Sequence, residues 1–153
     1  MGVFGKLQVE VDITPSGDVF HELFANQPHH LSTIVPDQVH GYDVHEGELG
    51  KPGSIIQWDY TLDGKKSVAK QELEVVDEEK KMIKFKFLEG SDLLKEYKNM
   101  SVTFQAIPKG DFEAILWDID FERFDDFGPY PTSVMDFFIK VTRDVEAHHH
   151  ANA

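Results

Sequence analysis

The sequence predicts an α+β domain in which a long C-terminal helix packs against a curved antiparallel sheet. Residues 131–150 are the only long segment with a helical period, and its apolar stripe consists of Val134, Phe138, Val141 and Val145. Most of the preceding chain alternates apolar and polar residues, which is typical of half-buried strands. A helix that follows a series of strands has to bury its stripe against the sheet that those strands form.

The remaining elements follow in a simple order. Alternation over residues 7–13 predicts a first strand, and two short helices follow at residues 19–24 and 28–35. Pro28 can open the second helix and Pro36 ends it, so the two helices form a V. Six strands are then predicted within residues 39–46, 54–62, 67–76, 82–87, 100–104 and 115–122. Asp63-Gly64 is a two-residue hairpin signal between two of them.

Composition limits the possible functions. The formal net charge of −13 argues against nucleic acid and anionic membranes as partners, because both require clustered cations. The chain has no cysteine, which excludes disulfides and thiolate catalysis. It also has no secretory signal pattern and no apolar run long enough to span a bilayer. We expect residues 1–153 to form one soluble, cytoplasmic domain that is monomeric and has no stable membrane insertion.

The inward face of the predicted sheet is rich in aromatic residues. Strand parity places the following side chains on this face: Trp58, Tyr60, Ile83, Phe85, Phe87, Met100, Val102, Phe104, Ile115, Trp117, Ile119 and Phe121. One helix is too narrow to fill so wide a wall. The pattern therefore leaves two outcomes, a core collapsed onto the helix or a residual cavity that binds an apolar ligand, and the packed core is the commoner of the two.

Two motifs suggest ligand sites but lack the required spacing. In the glycine-rich turn at residues 46–54, only two residues separate Gly47 from Gly50, and Pro52 follows Lys51. A phosphate-binding loop needs four residues between the two glycines and a Ser or Thr after the lysine, so we interpret this segment as a hairpin turn. The eight histidines include no pair with the spacing and nearby acid of a zinc site, so we expect no metal.

Proton-transfer chemistry would need an acid or base held in the apolar wall with a shifted pKa. The residues considered for this role are His21, Tyr42, Asp43, His45, Tyr60 and Glu72. The facing of Asp43 and His45 is ambiguous, because their strand carries apolar residues on both sides. For His21 a surface or gating role is favoured over catalysis.

Segments distributed along the whole chain carry a family resemblance. They are MGVFGKL at 1–7, GDVFHELFANQPHH at 17–30, HEGELGKPGS at 45–54 and VTRDVEAHH at 141–149, together with Glu89-Gly90 and Pro108-Lys109-Gly110. With these segments and this order of elements, the sequence resembles the birch-pollen-allergen (Bet v I, also written Bet v 1) superfamily of plants. It is most similar to the major latex protein branch of that superfamily.

The resemblance implies a helix-grip fold. In that fold a seven-stranded curved antiparallel sheet wraps around the C-terminal helix, and two short helices form a V after the first strand. A large internal cavity would bind a hydrophobic small molecule, sterol, terpenoid or lipid without a cofactor. The cavity lining implied by position is Leu23, Phe24, Val39, Trp58, Tyr60, Ile83, Phe85, Phe87, Met100, Val102, Phe104, Trp117, Phe121, Val134, Phe137 and Phe138. We expect Val141 and Val145 to be ordinary core.

Three functions are compatible with this interpretation. The leading hypothesis is an intracellular carrier of hydrophobic small molecules or lipids, similar to the defence- and stress-associated major latex proteins. The alternative is an isomerase or cyclase of plant specialised metabolism that uses the same cavity without a metal or organic cofactor. Its acid or base would come from His21, Asp43, His45, Tyr60 or Glu72. A third hypothesis is an interaction protein whose cavity is vestigial.

Overall fold

The computed structural model describes residues 2–14 and 17–151, with side chains as far as His149. Within these residues the chain forms seven strands and three α-helices, with short 3-10 turns at Pro28–His30 and Asp92–Lys95. In chain order they are β1 (Val3–Ile13), α1 (Gly17–Ala25), α2 (Leu31–Ile34), β2 (Val39–Glu46), β3 (Ile55–Leu62), β4 (Lys65–Asp77), β5 (Met82–Phe87), β6 (Tyr97–Pro108), β7 (Glu113–Arg123) and α3 (Thr132–Ala151).

The seven strands form one antiparallel sheet in the order β1-β7-β6-β5-β4-β3-β2. Register shifts interrupt the ladder between Leu73 and Val75 on β4 and between Tyr97 and Asn99 on β6. Such bulges bend a strand and increase its twist, which helps the sheet to curve around a helix. The predicted α+β helix-grip arrangement, with α1 and α2 after the first strand and α3 last, is confirmed.

The β3–β4 hairpin shows why the Asp63-Gly64 signal was sufficient to predict a two-residue turn. Asp63 and Gly64 both have positive φ angles, 52° and 77°. Positive φ at both central residues gives a turn whose twist matches that of the flanking strands. The turn fixes the register so that Leu62 lies opposite Lys65 and Trp58 lies opposite Ala69. It therefore sets the inward-facing positions on β4.

Some elements differ in extent from the sequence prediction. β1 begins at Val3 rather than at residue 7, because its whole length pairs with β7, from Val3 opposite Arg123 to Ile13 opposite Glu113. A side chain at Gly5 would place its Cβ only 2.5 Å from the ring of Phe121, so glycine lets this ring lie flat on β1. The second short helix is divided into a 3-10 turn and the four residues of α2.

The core lies between the concave face of the sheet and the three helices. All twelve residues predicted on the inward face are buried, and the Trp117 and Phe104 side chains have no solvent exposure. Trp117 Nε1 donates a hydrogen bond to Thr142 Oγ1 on α3 at 2.8 Å, and the Thr142 hydroxyl donates to the Phe138 carbonyl at 2.7 Å. The first of these bonds attaches the middle of α3 to the middle of β7, and the second lies within α3.

Candidate functional site

An apolar cavity of about 70 Å³ lies between the concave face of the sheet and the first half of α3. Strands β3 to β7 form most of its wall, α1, α2 and the start of β2 close one side, and α3 covers it. Its lining residues are Phe24, Leu31, Val39, Trp58, Tyr60, Leu62, Ala69, Gln71, Phe85, Phe87, Leu93, Val102, Trp117, Val134, Phe137, Phe138 and Val141.

Two simple periodicities place these side chains together. On the strands the lining residues are two apart, as with Trp58 and Tyr60 on β3, so they share one face of the sheet. On α3, Val134, Phe137, Phe138 and Val141 are spaced by three, one and three residues, which places them on one face of a helix. The cavity is thus the space that remains where the strand face and the helix face meet.

Aromatic rings keep this space small. The Trp117 and Phe138 rings stack with centroids 4.3 Å apart and an interplanar angle of 11°. Phe24 meets Trp117 edge-on at 5.5 Å, and Tyr60 meets Phe137 edge-on at 5.6 Å. Ligand pockets of drug-sized molecules usually span about 300–1,000 Å³. The cavity in this conformation is well below that range, and the rings of Phe137 and Phe138 occupy much of the space between helix and sheet.

Eleven of the sixteen side chains implied by the family resemblance line the cavity. The other five, Leu23, Ile83, Met100, Phe104 and Phe121, are buried but do not reach it. Ile83, Met100, Phe104 and Phe121 face inward, as the alternation along their strands predicts. Other side chains cover them, so they do not border the cavity. Phe104, for example, packs against Phe20 at 6.5 Å and Phe24 at 5.1 Å, so α1 covers it.

Six lining residues were missed by sequence reasoning, namely Leu31, Leu62, Ala69, Gln71, Leu93 and Val141. Val141 was expected in the ordinary core and instead borders the cavity, because it lies one turn after Phe137 and Phe138 on α3. A signal for Ala69 and Gln71 did exist in the sequence. The Asp63-Gly64 turn places Ala69 opposite Trp58 and Gln71 opposite Ile56, and both partners face inward.

Two polar atoms in the wall have no hydrogen-bond partner among the described residues, Tyr60 Oη and Gln71 Oε1. Gln71 is 5% exposed and Tyr60 is 7% exposed. The hydroxyl of Ser67, opposite Tyr60, instead donates to the Lys65 carbonyl at 3.2 Å. Burial is the main cause that raises the pKa of Tyr60, and the nearby Asp92 carboxylate raises it further, so the phenol is neutral over the physiological range.

Of the six residues considered for proton transfer, the four that are not tyrosines do not reach the cavity. His21 is buried on α1, where its Nε2 lies 2.8 Å from Glu78 Oε2 at the β4–β5 turn. Asp43 and His45 are exposed on the edge strand β2, and His45 Nε2 lies 3.1 Å from Gln57 Oε1. Glu72 points to the opposite face of β4, because the inward positions belong to Gln71 and Leu73.

The remaining two residues of that set are tyrosines. Tyr42 is half-buried outside the cavity, and its ring packs edge-on against Trp58 at 4.6 Å. Burial raises the pKa of Tyr42 to about 12. Tyr60 is the one titratable side chain among the described residues that line the cavity. The wall therefore offers a neutral phenol and an amide to a ligand.

Other possible sites are less suited to an apolar ligand. A shallow depression of about 420 Å³ lies on the outer face of the sheet, but charged groups such as Glu74, Lys84 and Lys86 line it and it is open to solvent. Within residues 2–14 and 17–151, no group of three or more His, Asp or Glu side chains is arranged to hold a metal ion. No described helix combines the length and apolar character needed to cross a bilayer.

Comparison with known proteins places this architecture in a family. The chain matches the model of the Pathogenesis-related protein Bet v 1 family over residues 2–152. MLP-like protein 43 of Arabidopsis thaliana is 41% identical over 146 residues, which cover 94% of this chain and 92% of that protein. The crystal structure of ginseng major latex-like protein 151 from Panax ginseng matches with a TM-score of 0.91 and 43% identity, covering 95% of this chain and 97% of that one.

A more distant structure shows the extent of the fold. Norcoclaurine synthase from Thalictrum flavum, solved in complex with dopamine and hydroxybenzaldehyde, matches with a TM-score of 0.67 at 16% identity, covering 94% of this chain and 88% of that one. At this identity the likeness shows a common fold alone. The family model and the close relatives go further: this chain belongs to the Bet v 1 family and to its major latex protein branch in plants.

Proposed function

We propose that this protein is a single-domain cytoplasmic carrier that binds a hydrophobic small molecule or lipid in the cavity beneath α3. One observation carries the proposal: a cavity beneath α3 with a mainly apolar wall that includes the polar side chains of Tyr60 and Gln71, in a chain of the Bet v 1 family. Affinity would come from apolar burial, at roughly 25 cal/mol per Å². A role in plant defence and stress responses would fit the major latex protein branch.

Binding requires the cavity to enlarge, because about 70 Å³ does not hold a sterol or a lipid. Two hydrogen bonds hold α3 at the cavity and just beyond it. Gln38 Nε2 donates to the Phe137 carbonyl at 3.0 Å, and Trp117 bonds to Thr142 further along the helix. The Phe137 and Phe138 side chains are only half-buried. We therefore propose that these two rings swing aside when a ligand enters, while the helix keeps its position.

A titration with an apolar fluorescent probe tests the proposal. We expect wild-type protein to bind the probe with a dissociation constant of about 1 μM or below. Ala69→Leu places three more carbons in the cavity and should weaken binding about tenfold or more, with the fold intact by circular dichroism. Phe85→Asp should weaken it further, because it buries a charge in the wall.

The matched control is Lys70→Leu, which adds a leucine at the neighbouring position on the outward face of β4. It should bind the probe like the wild type. Failure of the wild type to bind any apolar probe would contradict the carrier proposal. That result would favour the third function, an interaction protein with a collapsed interior.

An isomerase or cyclase is the second candidate, favoured by one observation, the unpartnered Tyr60 hydroxyl in the cavity wall. A neutral phenol with a raised pKa is a hydrogen-bond donor rather than a base. A turnover assay with terpenoid or alkaloid precursors would test this candidate. Loss of turnover in Tyr60→Phe with retained substrate binding would support it, and absence of turnover in the wild type would count against it.

A further inference from the structure

Gln71 is the most unusual residue of the cavity wall. Its side chain lies on the inward face of β4, and its neighbours across the two adjacent strands are Ile56 and Phe87. Both neighbours are apolar, so the sheet offers its Oε1 atom no donor, and this atom is buried without a partner. Buried polar groups without a partner are rare in folded proteins because they lose their hydrogen bonds to water. An unpartnered acceptor in a cavity wall indicates that the ligand supplies a hydrogen-bond donor at that point.

The charge of the wall limits the ligand further. No Lys, Arg, His, Asp or Glu is among the described residues that line the cavity. A carboxylate or an ammonium group inside it would lose its hydration and find no counter-charge, which is strongly unfavourable. A ligand enclosed here is therefore neutral at the positions that contact the wall.

The second polar group of the wall lies at a defined separation from the first. Gln71 is opposite Ile56, which precedes Tyr60 by four residues on β3. Four strand residues correspond to about 13 Å, so the two groups are separated by roughly the length of an extended apolar chain or a fused-ring skeleton. The wall between them is formed by Trp58 and Ala69, and the indole N–H of Trp58 is the one polar group that these two side chains carry.

From these three features we infer that the ligand is a neutral apolar molecule with a hydroxyl group that bonds to Gln71, and that a second polar group on it meets Tyr60. This inference rests on the carrier function proposed above and specifies its ligand class. A hydroxyl fits this place because it donates to Oε1. A fatty acid fits poorly, because its carboxylate can only accept and carries an unpaired charge.

The test compares three compounds of equal chain length, namely dodecanol, dodecanoate and methyl dodecyl ether. Each is titrated against protein that holds the apolar fluorescent probe, near neutral pH. We expect dodecanol to displace the probe at a concentration about tenfold or more below that needed for dodecanoate. In Gln71→Leu the ratio of the affinity for dodecanol to that for methyl dodecyl ether should fall about three- to tenfold. This is the contribution expected of one hydrogen bond.

Three further variants control the comparison. Gln71→Met preserves the length of the side chain and should behave like Gln71→Leu. Gln105→Leu makes the same change on β6, where the amide is outside the cavity, and should leave all three affinities unchanged. Tyr60→Phe should lower the affinity for dodecanediol, which carries a hydroxyl at each end, without lowering the affinity for dodecanol.

The outcomes separate this inference from the carrier function. If the wild type binds the probe and all three compounds equally, or binds dodecanoate most tightly, the ligand class is overturned and the carrier function stands. The same holds if Gln71→Leu and Gln71→Met leave the preference for dodecanol unchanged. If the wild type binds no probe at all, the carrier function itself fails and the ligand class fails with it.

Discussion

The aromatic interior has two ends that are packed very differently. At one end, the packed end, Phe20 and Phe24 from α1 pack against Phe104, and Phe24 and Phe104 both meet the Trp117 ring. At the other end, the open end, the inward faces of β3 to β5 present Trp58, Tyr60, Phe85 and Phe87 to the cavity. The first turns of α3 cover this second group, and Leu31 of α2 borders the same cavity.

The strands at the two ends have the same kind of sequence. β6 and β7 alternate aromatic and polar residues as β3 and β5 do, and the strand pattern alone gives both ends the same prediction. The difference comes from the helices, because α1 adds an aromatic layer at one end, whereas at the other α1 and α2 only border the cavity through Phe24 and Leu31 and α3 covers it. Whether a part of the sheet borders packed core or cavity therefore depends on the helices that cover it and not on the sequence of its strands.

The largest expected effect comes from truncating a ring at each end. Phe104→Ala should lower the free energy of unfolding by about 3–5 kcal/mol, because it leaves a new void in a closed layer. Phe87→Ala enlarges a space that already exists, so we expect a loss smaller by at least about 1 kcal/mol. Urea unfolding of both variants measures the difference. Equal losses would show that the two ends are packed alike.

The next effect concerns the hydrogen bond between sheet and helix. Thr142→Val removes the acceptor of the Trp117 indole and leaves its N–H buried without a partner. We expect a loss of about 1–3 kcal/mol in unfolding free energy. Thr103→Val makes the same change on the outward face of β6 and should stay within about 0.5 kcal/mol of the wild type. A negligible loss in Thr142→Val would mean that this bond does not attach α3 to the sheet.

Alkaline pH tests the burial of two tyrosines, one of which lies beside the open end. Burial raises the pKa of Tyr42, beside the open end, and of Tyr97, against Phe121, to about 12 in each case. Unfolded tyrosine has a pKa of about 10, so between these values the folded protein binds more protons than the unfolded chain. Stability should therefore be complete below about pH 10 and fall as the pH rises towards 12.

Urea midpoints measured at about pH 9 and about pH 11 give the slope of stability against pH. Phe substitutions at Tyr42 and Tyr97 should each make it shallower, because the replaced side chain no longer titrates. If the midpoint of Tyr42→Phe falls as steeply as that of the wild type, Tyr42 is not the source of the decline.

The smallest effect is expected outside both ends. Lys140 Nζ and Asp144 Oδ2 are 2.6 Å apart on the solvent side of α3, with both side chains substantially exposed. Pairs of this spacing contribute about 0.3–0.5 kcal/mol, so Asp144→Ala should hardly change the unfolding midpoint. A loss above about 1 kcal/mol would show that α3 is less firmly held by its buried face than the core suggests.

Much of the fold could be predicted from the sequence because its signals are local. Three signals involve only neighbouring residues: the alternation along the strands, the period of α3 and the Asp63-Gly64 turn. Each was sufficient to predict its own element. The site was less predictable because its limits depend on distant contacts. Phe104 is excluded from the cavity by Phe24, a residue eighty positions earlier in the chain. His21, which is buried on α1, pairs with Glu78 of the β4–β5 turn, fifty-seven positions later in the chain.

Gln71 shows a different limit. A polar residue in a strand is normally assigned to the outward face, and Glu72 next to it was considered for the cavity instead. Only the register of the β3–β4 hairpin, which places Gln71 opposite Ile56, reverses that assignment. Pairing two strands before assigning their faces would have placed Ala69 and Gln71 at the site.

The placement of the two tryptophans has an optical consequence. Both tryptophans of the chain, Trp58 and Trp117, line the cavity, one at the open end and one against α3. Trp117 is fully buried and donates a hydrogen bond to Thr142, whereas Trp58 lies beside Tyr42 near the surface. The tryptophan emission of the protein therefore arises from the wall of its candidate site. A molecule that enters the cavity should change that emission in the unlabelled protein.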